Sequence, residues 1–327
     1  MTTTIAHKKT APQNSTAKPT IFIDGEAGTT GLEIRTKLAN VSGLDLKSIA
    51  HAQRKDAAAR MAMMRDADVV VLCLPDDAAR EAVALAAELG ADAPKIVDAS
   101  TAHRVAPGWV YGFAELTAGH AEKIRSAKHV SNPGCYPTGA IALLRPLVEA
   151  GLLPAGQPIT VNAVSGYSGG GKSMIEAYEA GKAAPFELYG LGLTHKHLPE
   201  LQQYAGISSR PIFVPSVGNF RQGMLVSIPL HLAALPGKPN ARDIEQVLTK
   251  HYQHSALVSV VPDAAQATGG KLTAEALNGT DKLELYVFAN VAHGQVVLVA
   301  RLDNLGKGAS GAAVQNIGLM LGVDTGH

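Results

Sequence analysis

One cysteine of this 327-residue chain sits where a nucleophile could. Cys135 lies in Ser131-Asn-Pro-Gly-Cys-Tyr-Pro-Thr-Gly139, between a short strand and a helix expected to begin near Pro137, proline being suited to a first helical position. A thiol at a helix N-terminus has its thiolate stabilised by the dipole and by free N–H groups, so nucleophilicity near neutral pH is expected. The same N–H groups can hold an oxyanion. The plainer reading is a small residue filling a tight turn. Two prolines and a glycine around the thiol favour a presented side chain instead. Such a thiol needs an acid–base partner, and Thr194-His195-Lys196-His197-Leu-Pro199-Glu200 is the richest segment for one. His195 and His197 are both candidates, against the alternative of a polar loop capping a helix at Pro199. Cys73, in an apolar run, reads as core. No His/Cys set has zinc-finger spacing, so no metal is expected.

Three glycine clusters suggest phosphate or cofactor contacts. Gly25, Gly28 and Gly31, with Thr29 and Thr30 between the last two, follow a strand and open a helix. Glycine lets the backbone approach a pyrophosphate, and the helix N-terminus offers it N–H groups. The acid that usually binds ribose belongs at the end of the second strand, where this chain has Arg54 and Lys55. Two cations there suit a 2′-phosphate, hence NADP over NAD, although Asp45 and Asp56 are close in sequence. The second cluster, Gly166-x4-Gly171-Lys172-Ser173, satisfies the P-loop pattern and makes an NTPase a formal rival, with only Asp98 as an acid for magnesium. The third runs from Asp303 to Gly311 into the last helix and either closes over a cofactor or caps that helix.

These residues need elements to hold them. Ile21–Ile23, Leu44–Ala50, the apolar run from Asp68 to Leu74, and Lys95–Ala99 alternate with helical stretches at 30–39, 55–65 and 76–89. That alternation argues for a Rossmann-type doubly wound parallel sheet. Beyond about residue 155, strand-like segments dominate (159–164, 212–217, 224–232, 257–261, 283–291 and 295–302). They imply an α+β domain with a mixed, largely antiparallel sheet. The expected division is a flexible tail at 1–19, a nucleotide domain at 20–134 completed by a C-terminal helix at 305–327, and a catalytic, substrate and oligomerisation domain at 135–304. About two domains also follow from length at roughly 150 residues each. Lys plus Arg number 29 against 28 Asp plus Glu, which removes the charge excess a nucleic-acid binder uses. No apolar run reaches the roughly 18 residues of a membrane helix. Two cysteines cannot build a disulfide framework, so a reducing, cytoplasmic setting is expected.

Four segments together carry a resemblance: the Cys135 motif, His195-Lys-His-Leu-Pro-Glu200, Gly218-Asn-Phe-Arg-Gln-Gly-Met224 and Asp303-Asn-Leu-Gly-Lys-Gly-Ala-Ser-Gly-Ala-Ala-Val-Gln-Asn316. They resemble the N-acetyl-γ-glutamyl-phosphate reductases of arginine biosynthesis. Asp98-Ala-Ser-Thr-Ala-His-Arg104 points to the shorter, type 2 form. The resemblance spans about residues 20 to 322. It implies a thioester on Cys135, hydride from NADP(H), His197 as acid–base partner with His195 as the alternative, and a homodimer or homotetramer. It also turns the Gly166–Ser173 loop into an active-site loop. Ser168, Gly169, Asn290 and Gly308 join the expected cofactor set. Arg104, Asn132 and Arg221 are the expected substrate contacts. Two alternatives stay open here: an aspartate-semialdehyde-dehydrogenase-like reductase of another acyl phosphate, and a Cys/His acyl hydrolase without nicotinamide.

Overall fold

The computed structural model describes residues 18–326. The expected tail therefore lies almost wholly outside the described residues. The first half alternates β1 (Thr20–Asp24), α1 (Thr29–Ala39), β2 (Asp45–Lys47), α2 (Ala57–Arg65), β3 (Val69–Leu72), α3 (Asp76–Ala87), β4 (Lys95–Asp98), β5 (Val110–Tyr111), α4 (His120–Ser126) and β6 (His129–Ser131). Their six strands form one sheet in the order β2-β1-β3-β4-β6-β5, with every pair parallel. The apolar runs of β1 and β3 follow from burial on both faces. Ile21, Ile23, Val69 and Val71 face one cluster, while Phe22, Val70 and Leu72 face the other. The second cluster is closed by Met64 of α2 and by Ala79, Ala82 and Ala86 of α3. Asp56 caps α2 by accepting from the Ala59 N–H at 2.7 Å.

The second half begins with α5 (Cys135–Glu149). It continues through β7 (Thr160–Gly166), α6 (Lys172–Glu179), β8 (Phe186–Leu188), α7 (Leu198–Ala205), β9 (Ile212–Gly218) and β10 (Met224–His231). Then follow α8 (Ala241–Tyr252), β11 (Val258–Val260), α9 (Ala264–Thr268), β12 (Leu283–Asn290), β13 (Gln295–Leu302) and α10 (Gly311–Leu321). Its seven strands run β11-β12-β13-β10-β7-β9-β8. Only β11–β12 and β7–β9 pair in parallel. The sheet is thus mixed and largely antiparallel, as expected. Helix α5 lies in the main core with Val226, Leu298 and Ala300 of the second sheet. Ala313, Val314 and Ile317 of α10 return to the first sheet and pack on Ile21, Ile34 and Val97.

Two expectations need correction. The second strand, expected over 44–50, is only Asp45–Lys47, because a 3-10 turn at His51–Gln53 follows it. The cysteine helix starts at Cys135 rather than near Pro137. Gly134, with φ −73° and ψ 149°, is the N-cap, so the thiol itself takes the first helical position. No helix among the described residues is long and apolar enough to cross a membrane.

Candidate active site

The carboxyl ends of β1, β4 and β6 open into one cleft of about 360 Å³. Ligands of open parallel sheets bind at that end of the strands. Thr29 and Thr30 line the cleft from the first turn, Ala99 and Arg104 from the β4 loop, and Asn132 to Tyr136 from the β6–α5 junction. The second half adds Ser168, Gly169, Tyr189, His195, Lys196, His197 and Gly308. Residues spread over nearly 280 positions thus meet at Cys135, which is half-buried.

The loop before Cys135 is held by a buried polar network. Glu200 accepts from the Gly134 N–H at 3.0 Å and from the Tyr111 hydroxyl at 2.7 Å, both on Oε2. Its Oε1 takes Arg104 Nη1 at 2.5 Å. Arg104 Nε donates to the Asn132 carbonyl at 3.0 Å, and Tyr204, stacked on Tyr111 at 3.8 Å, donates to the Arg104 carbonyl. A Cβ at Gly134 would stand 2.6 Å from Arg104 Nη1, 2.7 Å from Glu200 Oε1 and 2.8 Å from His197 Nε2. Only glycine lets these three groups close on the residue before the thiol. The turn carrying Arg104 is fixed by Asp98, which accepts from Ser100 and lies 2.6 Å from His103 Nδ1.

The histidines divide their roles. His195 Nδ1 accepts the His197 backbone N–H at 3.1 Å, and its ring packs edge-on against Tyr136 and Phe213. His197 is buried, and its Nδ1 has no hydrogen-bond partner. Burial, then the charges of Lys196 and Arg104, push His195 down to about 4. Burial, then Arg104, hold His197 well below the ordinary histidine range. Both imidazoles are therefore neutral near pH 7, and burial makes protonation of either costly.

The thiol departs from expectation. Burial pushes Cys135 up to about 11, even though Arg104 and the Tyr136 N–H pull it down. The helix N-terminus opposes burial without overcoming it, so the resting pair is thiol and neutral imidazole. Because the thiolate is the reactive form, iodoacetamide alkylation of Cys135 is expected to climb through the alkaline range with a midpoint near about 11. A plateau already reached at neutral pH would reverse that order of effects.

Other expected site residues fall into place unevenly. Gly25 has φ +93°, and a Cβ there would run into the Cys73 carbonyl; one at Gly31 would lie 2.5 Å from the Gly25 carbonyl. These glycines shape the turn, while Gly28 caps α1. Gly308 approaches Cys135 directly, since a Cβ there would be 3.0 Å from Cys135 Cβ. Ser168 accepts from Asn304 Nδ2 at 2.9 Å, which pins the second glycine loop to the closing segment. Asn132 lines the cleft, but its amide is engaged with the Ala309 carbonyl and with Asn316. Arg54 is exposed at the end of the 3-10 turn after β2 and does not line this cleft. Arg221 does not reach the cleft. Its guanidinium, 55% exposed, pairs with Glu179 at 2.9 Å, while its carbonyl holds the Ser168 N–H. Asn290 also lies elsewhere, at the far end of β12, where it caps the short turn at Val291–His293. Lys172 of the P-loop-like run is 84% exposed and leans toward Glu176. It does not fold back over its loop as a phosphate-binding lysine does.

Sequence reasoning missed Tyr111, which carries no local motif. Asn304 and Lys307 stood inside the Asp303–Asn316 motif, but no role followed for them because their partners, Ser168 and Glu115, are distant in sequence. Glu200 stood inside the histidine motif, but its partners are 66 and 96 residues away.

Comparisons with known proteins show the fold and the family. Residues 23–126 match the family model described as the NAD-binding domain of semialdehyde dehydrogenase, and residues 135–304 match its dimerisation domain. A Brucella suis protein named N-acetyl-gamma-glutamyl-phosphate reductase is 56% identical over 310 residues, covering 93% of this chain and 99% of its own. A Pseudomonas putida protein named N-acetyl-gamma-glutamyl-phosphate reductase 2 is 53% identical over 312 residues, covering 94% and 99%. Among solved structures, aspartate semialdehyde dehydrogenase II from Vibrio cholerae matches with a TM-score of 0.66 at 15% identity, covering 93% and 98%. The NADP complex of the Candida albicans enzyme matches at 0.61 and 14%, with the same coverage. At such identities these structures establish the fold alone. The chain belongs to the N-acetyl-γ-glutamyl-phosphate reductase family, on the two-domain fold of the semialdehyde dehydrogenases.

Proposed function

We propose that the chain reduces N-acetyl-γ-glutamyl phosphate to N-acetylglutamate 5-semialdehyde and phosphate, using NADPH and a thioester on Cys135. The observation that carries this reading is the single cleft in which Cys135, His197 and Arg104 stand beside Thr29 and Thr30 of the first glycine turn. The relatives' names supply the substrate.

The first turn suits a dinucleotide. Helix α1 begins after Gly28 with no side-chain cap, so its leading N–H groups face no competing side chain and can meet a pyrophosphate. NADPH, when bound, supplies the hydride. His197 Nε2 takes the thiol proton. Cys135 Sγ then attacks the acyl carbon, the bond to the phosphate oxygen breaks, and phosphate departs. After hydride has reached the thioester carbon, the C–S bond breaks, the aldehyde leaves and His197 returns its proton to Cys135. His197 is preferred over His195 because its Nε2 approaches the cysteine loop, whereas His195 braces the His197 backbone. Arg104 presents buried positive charge for the departing phosphate. The N–H groups at the start of α5 face the developing oxyanion. Splitting the reduction into two covalent steps lowers each barrier.

A homodimer through the open face of the second sheet fits the dimerisation-domain match. That face carries a groove of about 550 Å³ lined by apolar residues including Val164, Phe186, Leu188, Leu225 and Phe288. A reactive free thiol suits the cytoplasm.

The test runs the reaction backwards, because acyl phosphates hydrolyse readily. N-acetylglutamate 5-semialdehyde, NADP and phosphate are expected to give a phosphate-dependent rise in NADPH absorbance, weaker with NAD. No rise, with NADPH still bound by fluorescence, would discard the substrate and send the assay to aspartate semialdehyde. Turnover of acyl esters without nicotinamide would instead favour the hydrolase. Gly31→Ala is expected to weaken NADPH binding on the order of 10-fold, about 1.4 kcal/mol, because its Cβ has no room beside the Gly25 carbonyl. Fluorescence titration reads the change; an unaltered Kd would remove the first turn from the cofactor site.

A further inference from the structure

The closing segment leads from the cleft to a buried ion pair outside it. After β13 the chain makes a wide π turn, Gly306–Ser310, before α10. Gly308 of that turn rests on Cys135. One flank of the turn meets Thr280 and Asp281, and Asp281 pairs with Lys37 of α1 at 2.9 Å. On the other flank Lys307 has no exposed surface. Its ammonium donates to Glu115 Oε1 at 2.9 Å, Glu115 Oε2 at 2.8 Å and Gln315 Oε1 at 2.7 Å. All three protons are thereby used. Gln315 Nε2 donates back to Glu115 at 2.9 Å, and the ammonium lies 5.4 Å from the centre of the Phe113 ring. Burial alone would raise Glu115, but Lys307 and Gln315 outweigh it and hold the carboxyl below its usual range.

A buried ion pair adds little stability over apolar side chains of similar volume. It does fix geometry, since three short bonds allow the lysine one place. We propose that Lys307 and Glu115 are positioning residues for the Cys135 reaction, holding Gly308 down on the thiol. They touch no reacting atom. They join the segment between β5 and α4 to the turn that roofs the cysteine, and so set how closely the roof fits. The inference rests on the proposed Cys135 chemistry.

Three variants test it: Lys307→Met, Glu115→Gln, and the apolar pair Lys307→Met with Glu115→Leu. The pair leaves no unpaired buried charge and keeps the experiment informative if the first variant does not fold. Loosening the roof is expected to lower kcat on the order of 100-fold, the scale of a 1 Å misplacement. NADPH affinity, read by fluorescence, should stay within about two-fold. Mass-mapped iodoacetamide alkylation of Cys135 should speed up about 10-fold as the thiol gains access to water. Partial unfolding also lowers turnover and exposes the thiol, so both rates are taken on variant protein whose NADPH titration shows full occupancy. Unchanged kcat and alkylation in the folded double variant would overturn the proposal, as would losses that only track the titrated fraction of active sites. If wild-type protein fails to reduce the proposed substrate, the functional reading falls, and the alkylation rates still decide the positioning role.

Discussion

Cys135→Ser is expected to lower phosphate-dependent NADP reduction by about 10⁴-fold or more, the scale seen when an enzyme loses its covalent nucleophile. NADPH binding should be unchanged, because the turn at Gly25–Gly31 and the Cys135 helix are separate elements meeting across a cleft. The serine hydroxyl fits the half-buried site, so stability should hold. The chemistry should not, since an alkoxide is far harder to form there than a thiolate. Single-turnover mixing would show no phosphate burst and no acyl-enzyme mass. Near-normal turnover in this variant would end the thioester mechanism. Cys73, whose thiol burial pushes up to about 12, is the internal control: its replacement should leave the burst intact.

The second large effect concerns Glu200. Glu200→Ala leaves the Arg104 guanidinium buried without its carboxylate and frees the Gly134 N–H and the Tyr111 hydroxyl at once. Removing one partner of a buried pair costs about 3–5 kcal/mol, measurable as a shift in the denaturant midpoint. Glu200→Gln keeps one oxygen that can accept from the Gly134 N–H and the Tyr111 hydroxyl, but its amide NH2 faces Arg104 and leaves that charge unpaired, so it should still cost about 3 kcal/mol. It also acts on rate. The Gly134 turn sets the first residue of α5, and a loosened turn moves Sγ relative to His197. A kcat loss on the order of 10- to 100-fold is expected for the glutamine variant, with NADPH affinity unchanged. Wild-type kcat in Glu200→Gln would reduce the network to a stabilising role.

Legibility followed sequence distance. The first sheet was readable because β3 is apolar throughout and β1 and β4 have apolar centres, Ile21–Ile23 and Ile96–Val97, that are buried in the sheet. The glycine turn and the Cys135 junction were readable because each needs its residues within a few positions. Arg221 and Asn290 misled because a motif position and a charge say nothing about direction. Arg221 lends its backbone to the Ser168 loop and turns its side chain to Glu179. Asn290 lies at the end of β12 remote from the cleft, where its amide serves a local turn.

Sequence by itself therefore determined the two sheets, the position of Cys135 at a strand–helix junction, the histidine segment and the likeness to a reductase family. These depend on periodicity and on local spacing. Tertiary structure alone decided which groups surround the thiol. Arg104 and Gly308 are named by the resemblance, but Glu200, and Tyr111 behind it, come from separate segments, and no spacing encodes their meeting. It also decided the thiol's protonation. A helix N-terminus read in isolation favours a thiolate, yet the packing around α5 half-buries Cys135, and that burial outweighs the N–H groups and Arg104 together.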